Sequence, residues 1–404
     1  MNDDDTTHRR AGALDGVRVV EMATMLSAPL TGMMLADHGA DVIKIEQPGV
    51  GDQLRSWGRS RNGEPLLWKM LSRNKRLITL DLHDAEAQDV VLDLLTRSDV
   101  LIENFRPGTL DRWGLTSERL HRANPALVVL RVSGYGQTGP RSSRAGFGTL
   151  AEAFSGFAYI NGWDDRPPSL PPFGLADAIA GMTGAFGITA ALESARRTGQ
   201  GQDIDIALYE PLLTALGSIV VDYDQLGIVQ QRTGNRAPFS APRNAYRTAD
   251  DHWIAISGST QSTASRLLTA IGRPELITDP RFATNQDRVT NVVELDDVIA
   301  AWIGERSQAE ALSVFDAAHV TAGPVYSVDQ LVEDEHVKAR GSLMTVDDER
   351  LGPVRIQAPV PRMSGTPARI DHLGGALGAD NDAVYAELGL TAAKLLKLRE
   401  RGVI

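Results

Sequence analysis

Asp177 stands in Pro171-Pro172-Phe173-Gly174-Leu175-Ala176-Asp177-Ala178-Ile179-Ala180-Gly181-Met182-Thr183-Gly184, one carboxylate among small and apolar residues. A carboxylate in such company needs hydrogen bonds, a helix end to cap, or a reaction to perform. Two roles are open to it. As an N-cap, Asp177 would accept the first N–H groups of a helix running from Ala178. As a reactive group, it would be held unsolvated for chemistry of its own. The roles are compatible, because the positive end of a helix is a good place to present a carboxylate. Other routes to chemistry are absent. The chain has no cysteine, which excludes thiol nucleophiles, disulfides and Cys-based zinc sites. Its eight histidines show no H-x-x-x-H spacing, so no metal site is expected. There is no G-x-S-x-G elbow, and neither G-x-x-x-x-G-K-[ST] nor an early G-x-G-x-x-G, so no nucleotide phosphate loop is expected.

A second cluster is electrostatic. Between Lys44 and Arg76 lie the bases Lys44, Arg55, Arg59, Arg61, Lys69, Arg73, Lys75 and Arg76, against only Glu46, Asp52 and Glu64. In a chain of net charge -11 this basic island is either a solvated, ion-paired surface or a site for a phosphorylated ligand. The same net charge argues against general nucleic-acid binding.

The elements that must position these groups alternate. Gly16–Met22 reads as a strand, Ser27–Gly39 as a helix with Ser27 as its cap, and Ala40–Glu46 as a second strand. Leu77–Leu80, a helix from Asp84 to Ser98, Asp99–Glu103 and Leu127–Val132 continue the pattern, so the strands form a parallel, doubly wound α/β sheet. Gly174–Ala195 is small, glycine-rich and apolar, which suits close helix packing, and Asp203–Leu208 is a further strand. A polar stretch from Gln231 leads to a smaller α+β module. At 404 residues two domains are the default. The expected division is a disordered tail over residues 1–13, a large domain over 14–230 plus 328–404, and a small domain over 231–327. The acidic N-terminus has no signal-peptide core, and no run of eighteen apolar residues marks a membrane span. A cytoplasmic location is expected.

Several motifs together resemble the class III coenzyme A transferases. They are Gly16-Val17-Arg18-Val19-Val20, Ala36-Asp37-His38-Gly39-Ala40-Asp41-Val42-Ile43-Lys44-Ile45-Glu46-Gln47-Pro48-Gly49, Arg73-Asn74-Lys75-Arg76, Glu103-Asn104-Phe105-Arg106-Pro107-Gly108, Ser133-Gly134-Tyr135-Gly136-Gln137-Thr138-Gly139-Pro140 and Thr198-Gly199-Gln200-Gly201-Gln202-Asp203. The resemblance runs from about Leu14 to near the end of the chain. It implies a Rossmann-like large domain with an inserted smaller domain, and an interlocked homodimer. It implies coenzyme A as substrate, passed from an acyl-CoA donor to a small carboxylic acid. In the family an aspartate followed four residues later by glycine attacks the thioester, and the matching pair is Asp177 and Gly181. The CoA contacts implied are Thr24, Met25, Leu26 and Ser27 after the first strand, then Asn74, Lys75, Arg76, Asn104, Phe105 and Arg112.

The chain departs from two branches of that family. Formyl-CoA transferase carries His and Gln where this chain has Thr24 and Leu26, so formyl or oxalyl specificity is not expected. The racemases place a catalytic His in an Ala-Gly-His-Asp context. This chain has Ala145-Gly146-Phe147-Gly148, and phenylalanine exchanges no proton. The leading expectation is an acyl-CoA:carboxylate CoA-transferase using Asp177. The alternatives are a 2-methylacyl-CoA racemase or epimerase, and a non-catalytic acyl-CoA binding protein.

Overall fold

A computed structural model describes residues 12–404, so most of the expected 1–13 tail lies outside the described residues. The chain divides into two compact units. One takes the residues up to Phe157, Leu170–Val220 and Arg340–Ile404; the other takes Ala158–Ser169 and Val221–Ala339. The smaller unit thus reaches beyond the expected 231–327. The segment before Ser169 joins it through hydrogen bonds: Arg232 donates to Tyr159 O at 2.9 Å, and Gly234 N–H donates to Gly162 O at 2.8 Å.

The larger unit is built on six parallel strands: β1 (Arg18–Met22), β2 (Asp41–Glu46), β3 (Lys75–Thr79), β4 (Val100–Glu103), β5 (Val128–Ser133) and β6 (Asp203–Ala207). Their spatial order is β3-β2-β1-β4-β5-β6. The winding runs outward from β1 to β3, then returns to place β4 beside β1. That reversal opens a crevice at the carboxyl ends of β1 and β4, where open α/β sheets bind their ligands. Both faces of the sheet are covered, so the strands are apolar on both sides. Val19, Val42, Val100, Ile102 and Leu130 face one core, and Val20, Ile43, Ile45, Leu101 and Val129 face the other.

The helices that contribute side chains to these cores include α1 (Ser27–Asp37), α2 (Ala85–Thr96), α3 (Gly148–Phe154) and α4 (Leu175–Thr198). α2 is capped by Asp84, which accepts from Glu86 N–H at 2.9 Å. α4 ends at Gly199 in the left-handed conformation that favours glycine. By length and composition alone, α4 is long and apolar enough to cross a membrane. Its residues Ala176, Ala180, Ala185, Ile188 and Ala191 are instead buried in the core of the unit. Glycines bring α4 close to α1. A Cβ at Gly181 would lie 2.6 Å from Ser27 O, and one at Gly184 would lie 2.7 Å from Thr31 Oγ1. Thr31 Oγ1 donates to Gly181 O at 2.8 Å across the same contact.

The smaller unit has a three-stranded antiparallel sheet of β7 (Arg243–Arg247), β8 (Trp253–Ser257) and β9 (Ala322–Pro324), with β8 central. Helices contribute Leu267, Ile299, Ile303 and Phe315 to its core.

Beneath the β1 end of the larger unit lies a buried charge network. Glu21 is fully buried and accepts from Lys44 Nζ at 2.9 Å and Lys75 Nζ at 2.7 Å. Lys44 also pairs with Asp52 at 2.9 Å and donates to Ala23 O, and Lys75 donates to Pro29 O at 2.8 Å. Burial pushes the Lys75 ammonium down to about 8 against the pull of Glu21. Burial also opposes the Lys44 charge, but Glu21, Asp52 and Glu46 raise its pKa overall. Removing one partner of such a buried set leaves a charge uncompensated, which costs about 3–5 kcal/mol. Glu21→Gln is therefore expected to lower the unfolding free energy by that order in a denaturant titration. A change under about 1 kcal/mol would show that the network contributes little.

Candidate active site

The first wall of the crevice is the loop after β1. Met25 holds φ +66, a conformation that side chains beyond glycine rarely adopt. Its N–H donates to Asp52 Oδ1 at 3.1 Å, and Asp52 also accepts from Leu54 N–H at 2.9 Å. Asp52 is in turn held by Lys44, so the loop is anchored to the buried charges. Asn104, just past β4, clasps the same loop. Thr24 N–H donates to Asn104 Oδ1 at 2.9 Å, and Asn104 Nδ2 donates to Thr24 O at 2.7 Å. This reciprocal amide pair spans the point where the strand order reverses. Phe105 beside it stacks edge-on to Trp113 with ring centroids 5.0 Å apart.

Asp177 forms the opposite wall. It is the third residue of α4, not its cap. The N-cap position is Gly174, and the capping acceptor comes from another helix. Glu152 Oε1 on α3 accepts from Leu175 N–H at 3.0 Å and Ala176 N–H at 3.3 Å. The cap reading of Asp177 is corrected by this geometry. The Asp177 carboxylate instead lies against Gly148, where a Cβ would come within 2.1 Å of Oδ2. Gly148 must be glycine for the carboxylate to sit there. Ser27, expected as the cap of α1, is the first residue inside it and lines the crevice beside Asp177. Burial, and then the neighbouring Glu152 charge, push Asp177 up to about 6, with the Ser27 side chain acting against them.

Two cavities meet at Asp177. The crevice brings together Thr24, Met25, Leu26, Ser27, Asn104, Phe105 and Asp177, with Arg106, Arg144 and Phe147. On the other side lies an apolar cavity lined by Leu30, Met33, Met34, Trp57, Met70 and Phe173 among others.

Four expected CoA contacts are not brought there. Lys75 is spent on Glu21 in the interior. Asn74 Nδ2 donates to Asp37 Oδ1 at 2.9 Å, and its Oδ1 accepts from Asp371 N–H at 2.7 Å. Arg76 pairs with Asp41 at the amino end of β2 and with Glu387. These three serve the fold, because Lys75 and Arg76 lie on β3, whose interior and amino end face away from the crevice. Arg112 is exposed, donates to Thr109 Oγ1 at 2.9 Å and does not line the crevice. Arg55, Lys69 and Arg73 of the basic island are also neutralised, while Arg59 and Arg61 are exposed. Arg55 grips Glu46 and stacks 3.7 Å from the Trp68 ring, Lys69 pairs with Asp348, and Arg73 pairs with Asp37. Glu152, Arg106 and Arg144 lie outside the site residues expected from sequence. Glu152 carries the same signal as Asp177, a lone acid in the small and apolar run Ala151-Glu152-Ala153-Phe154.

A Rossmann-like unit that sets a carboxylate against the crevice at its switch point has the layout of an enzyme site. Known proteins agree. The description of CoA-transferase family III matches residues 14–381, and the chain belongs to that family. It is 44% identical over 401 residues to succinyl-CoA–D-citramalate CoA-transferase of Chloroflexus aurantiacus, covering 99% of this chain and 100% of that one. It is 35% identical to succinate–glutarate CoA-transferase of Agrobacterium fabrum, over 94% of this chain and 96% of that one. A crystal structure of a CaiB/BaiF family protein from Brucella suis superposes with a TM-score of 0.82 at 33% identity, covering 94% of this chain and 100% of that one. The protein is an enzyme that transfers CoA between an acyl-CoA and a carboxylic acid.

The position of Asp177 sets a pH dependence. A carboxyl raised to about 6 holds its proton at pH values where an ordinary aspartate is already ionised. With Asp177 as the attacking group only its carboxylate form would react, and kcat/KM would rise with pH and level off above a midpoint near 6. Initial rates across a buffer series measure this. A midpoint at about 4, the ordinary aspartate value, would mean that Asp177 is not the titrating group.

Proposed function

We propose that this enzyme takes CoA from a dicarboxylic acyl-CoA of the succinyl type and gives it to a second small carboxylic acid, through covalent intermediates on Asp177. The relatives' names support the donor class, since they act on succinyl-CoA, succinate, glutarate and D-citramalate. The observation that carries the mechanism is a carboxylate freed from capping, raised in pKa and set where two cavities meet.

The chemistry runs in balanced steps. An Asp177 oxygen bonds to the thioester carbonyl carbon, the C–S bond breaks, and CoA leaves as thiolate. The thiolate attacks the Asp177 carbonyl of the resulting anhydride and releases the donor acid, leaving an aspartyl-CoA thioester. The acceptor's carboxylate attacks that carbonyl and expels thiolate again. The thiolate then attacks the acceptor's carbonyl and returns Asp177 as a carboxylate. The energy of the thioester is conserved without ATP. Both intermediates hydrolyse readily, so water must be kept out. Exposed Trp57, Phe173, Val360 and Phe186 in the larger unit are apolar surface that the expected interlocked homodimer would cover. Light scattering should then give the mass of two chains; a monomer would remove this cover. The Gly148 backbone beside the carboxylate suits stabilisation of the tetrahedral oxyanion. Arg106 and Arg144 suit CoA phosphates or a distal carboxylate. Racemisation lacks a second base, because Phe147 occupies the crevice and no histidine lines it.

The test is trapping. Enzyme incubated with succinyl-CoA and then hydroxylamine or borohydride should yield a modified Asp177 by mass spectrometry. Asp177→Ala should lose activity by roughly 10³-fold or more and form no adduct. Full transfer by Asp177→Ala would reject the reading.

A further inference from the structure

α3 carries Gly148 and Glu152 four residues apart, and so on one face. Gly148 lies against the Asp177 carboxylate, while Glu152 is only 2% exposed and reaches the start of α4. The N–H groups that Glu152 accepts, those of Leu175 and Ala176, open α4. An acidic side chain in the first turn of a helix tends to turn back onto such unpaired N–H groups. Glu152 takes them from outside the helix. Asp177 is then left beside Ser27 with an open approach from both cavities.

We propose that Glu152 is the positioning residue of the transfer reaction: it caps α4 in place of Asp177 and sets a second carboxylate beside one that must lose its charge. The inference rests on the covalent role proposed for Asp177. When the bond from Asp177 Oδ to the thioester carbon forms and the C–S bond breaks, the charge leaves Asp177 and ends on the CoA sulfur. A neighbouring carboxylate disfavours charged Asp177 against the neutral acyl-aspartate, and so favours the covalent state. The charged groups around Asp177 are few. They are Glu152 on α3, Arg106 and Arg144 on the crevice loops, and Asp37 and Arg73 at the apolar cavity, which pair with each other. Ser27 on α1 is uncharged. Glu152 is the charged group among them whose field acts on Asp177.

Two variants separate cap from charge. Glu152→Gln keeps an oxygen to accept from Leu175 and Ala176 but carries no charge, and Glu152→Ala loses both. In the full-length enzyme with succinyl-CoA, Glu152→Gln should keep the wild-type unfolding midpoint and KM. Its kcat should fall about tenfold or more, and the acid limb of its pH profile should move to lower pH. Glu152→Ala should lose activity further and unfold earlier. Wild-type kcat and an unmoved acid limb in Glu152→Gln would leave Glu152 a structural cap and overturn the inference. Trapping on wild-type enzyme reads the covalent role separately. An adduct on Asp177 with an unaffected Glu152→Gln defeats only the inference, whereas no adduct in the wild type defeats both.

Discussion

The structure depends on keeping Lys44 charged out of water. An isolated buried ammonium is costly, and this one persists because Glu21 and Asp52 hold it from two sides. Each carboxylate is then tied to a different part of the chain. Glu21 sits on β1 and also holds Lys75 of β3, which in turn reaches the Pro29 carbonyl in α1. Asp52 holds the N–H of Met25 in its left-handed turn. Three strands, one helix and the first loop of the crevice are thus set by one group of charges. Loss of any partner leaves the others uncompensated, so the arrangement tolerates little change.

From that anchor the site is assembled by close approach. Asn104 closes on the Thr24 backbone, which joins the loops after β1 and β4. Gly181 lets α4 settle on the Ser27 carbonyl, and Gly148 lets the Asp177 carboxylate settle on α3. Each glycine is required by the space it leaves empty. Two acids then divide two tasks, Glu152 satisfying the helix start and Asp177 facing the cavities. An aspartate that capped its own helix would have its lone pairs engaged and be a poorer nucleophile. This division links the packing of α3 on α4 to the chemistry of acyl transfer.

Much of this is legible from local pattern. The strand and helix alternation, the glycine stop after α4 and the isolation of Asp177 in an apolar run are features of neighbouring residues, and period and composition report those. The motif order also marks the loops that line the crevice, Thr24–Ser27 and Asn104–Phe105. The basic island shows where such reading ends. Lys75 and Asn74 have the residue types of a phosphate site, but their partners, Glu21, Asp37 and Asp371, lie 54, 37 and 297 residues away. Charge density along a chain does not say which charges are already paired.

The sequence by itself determined which segments form strands and helices, and that one carboxylate stands in an apolar run, because both follow from short-range periodicity and side-chain chemistry. Tertiary structure alone decided that β4 returns beside β1, that Lys75 belongs to the interior, and that Glu152 rather than Asp177 caps α4. Those outcomes depend on contacts between residues distant in sequence, where burial and pairing are settled only once the chain has closed on itself.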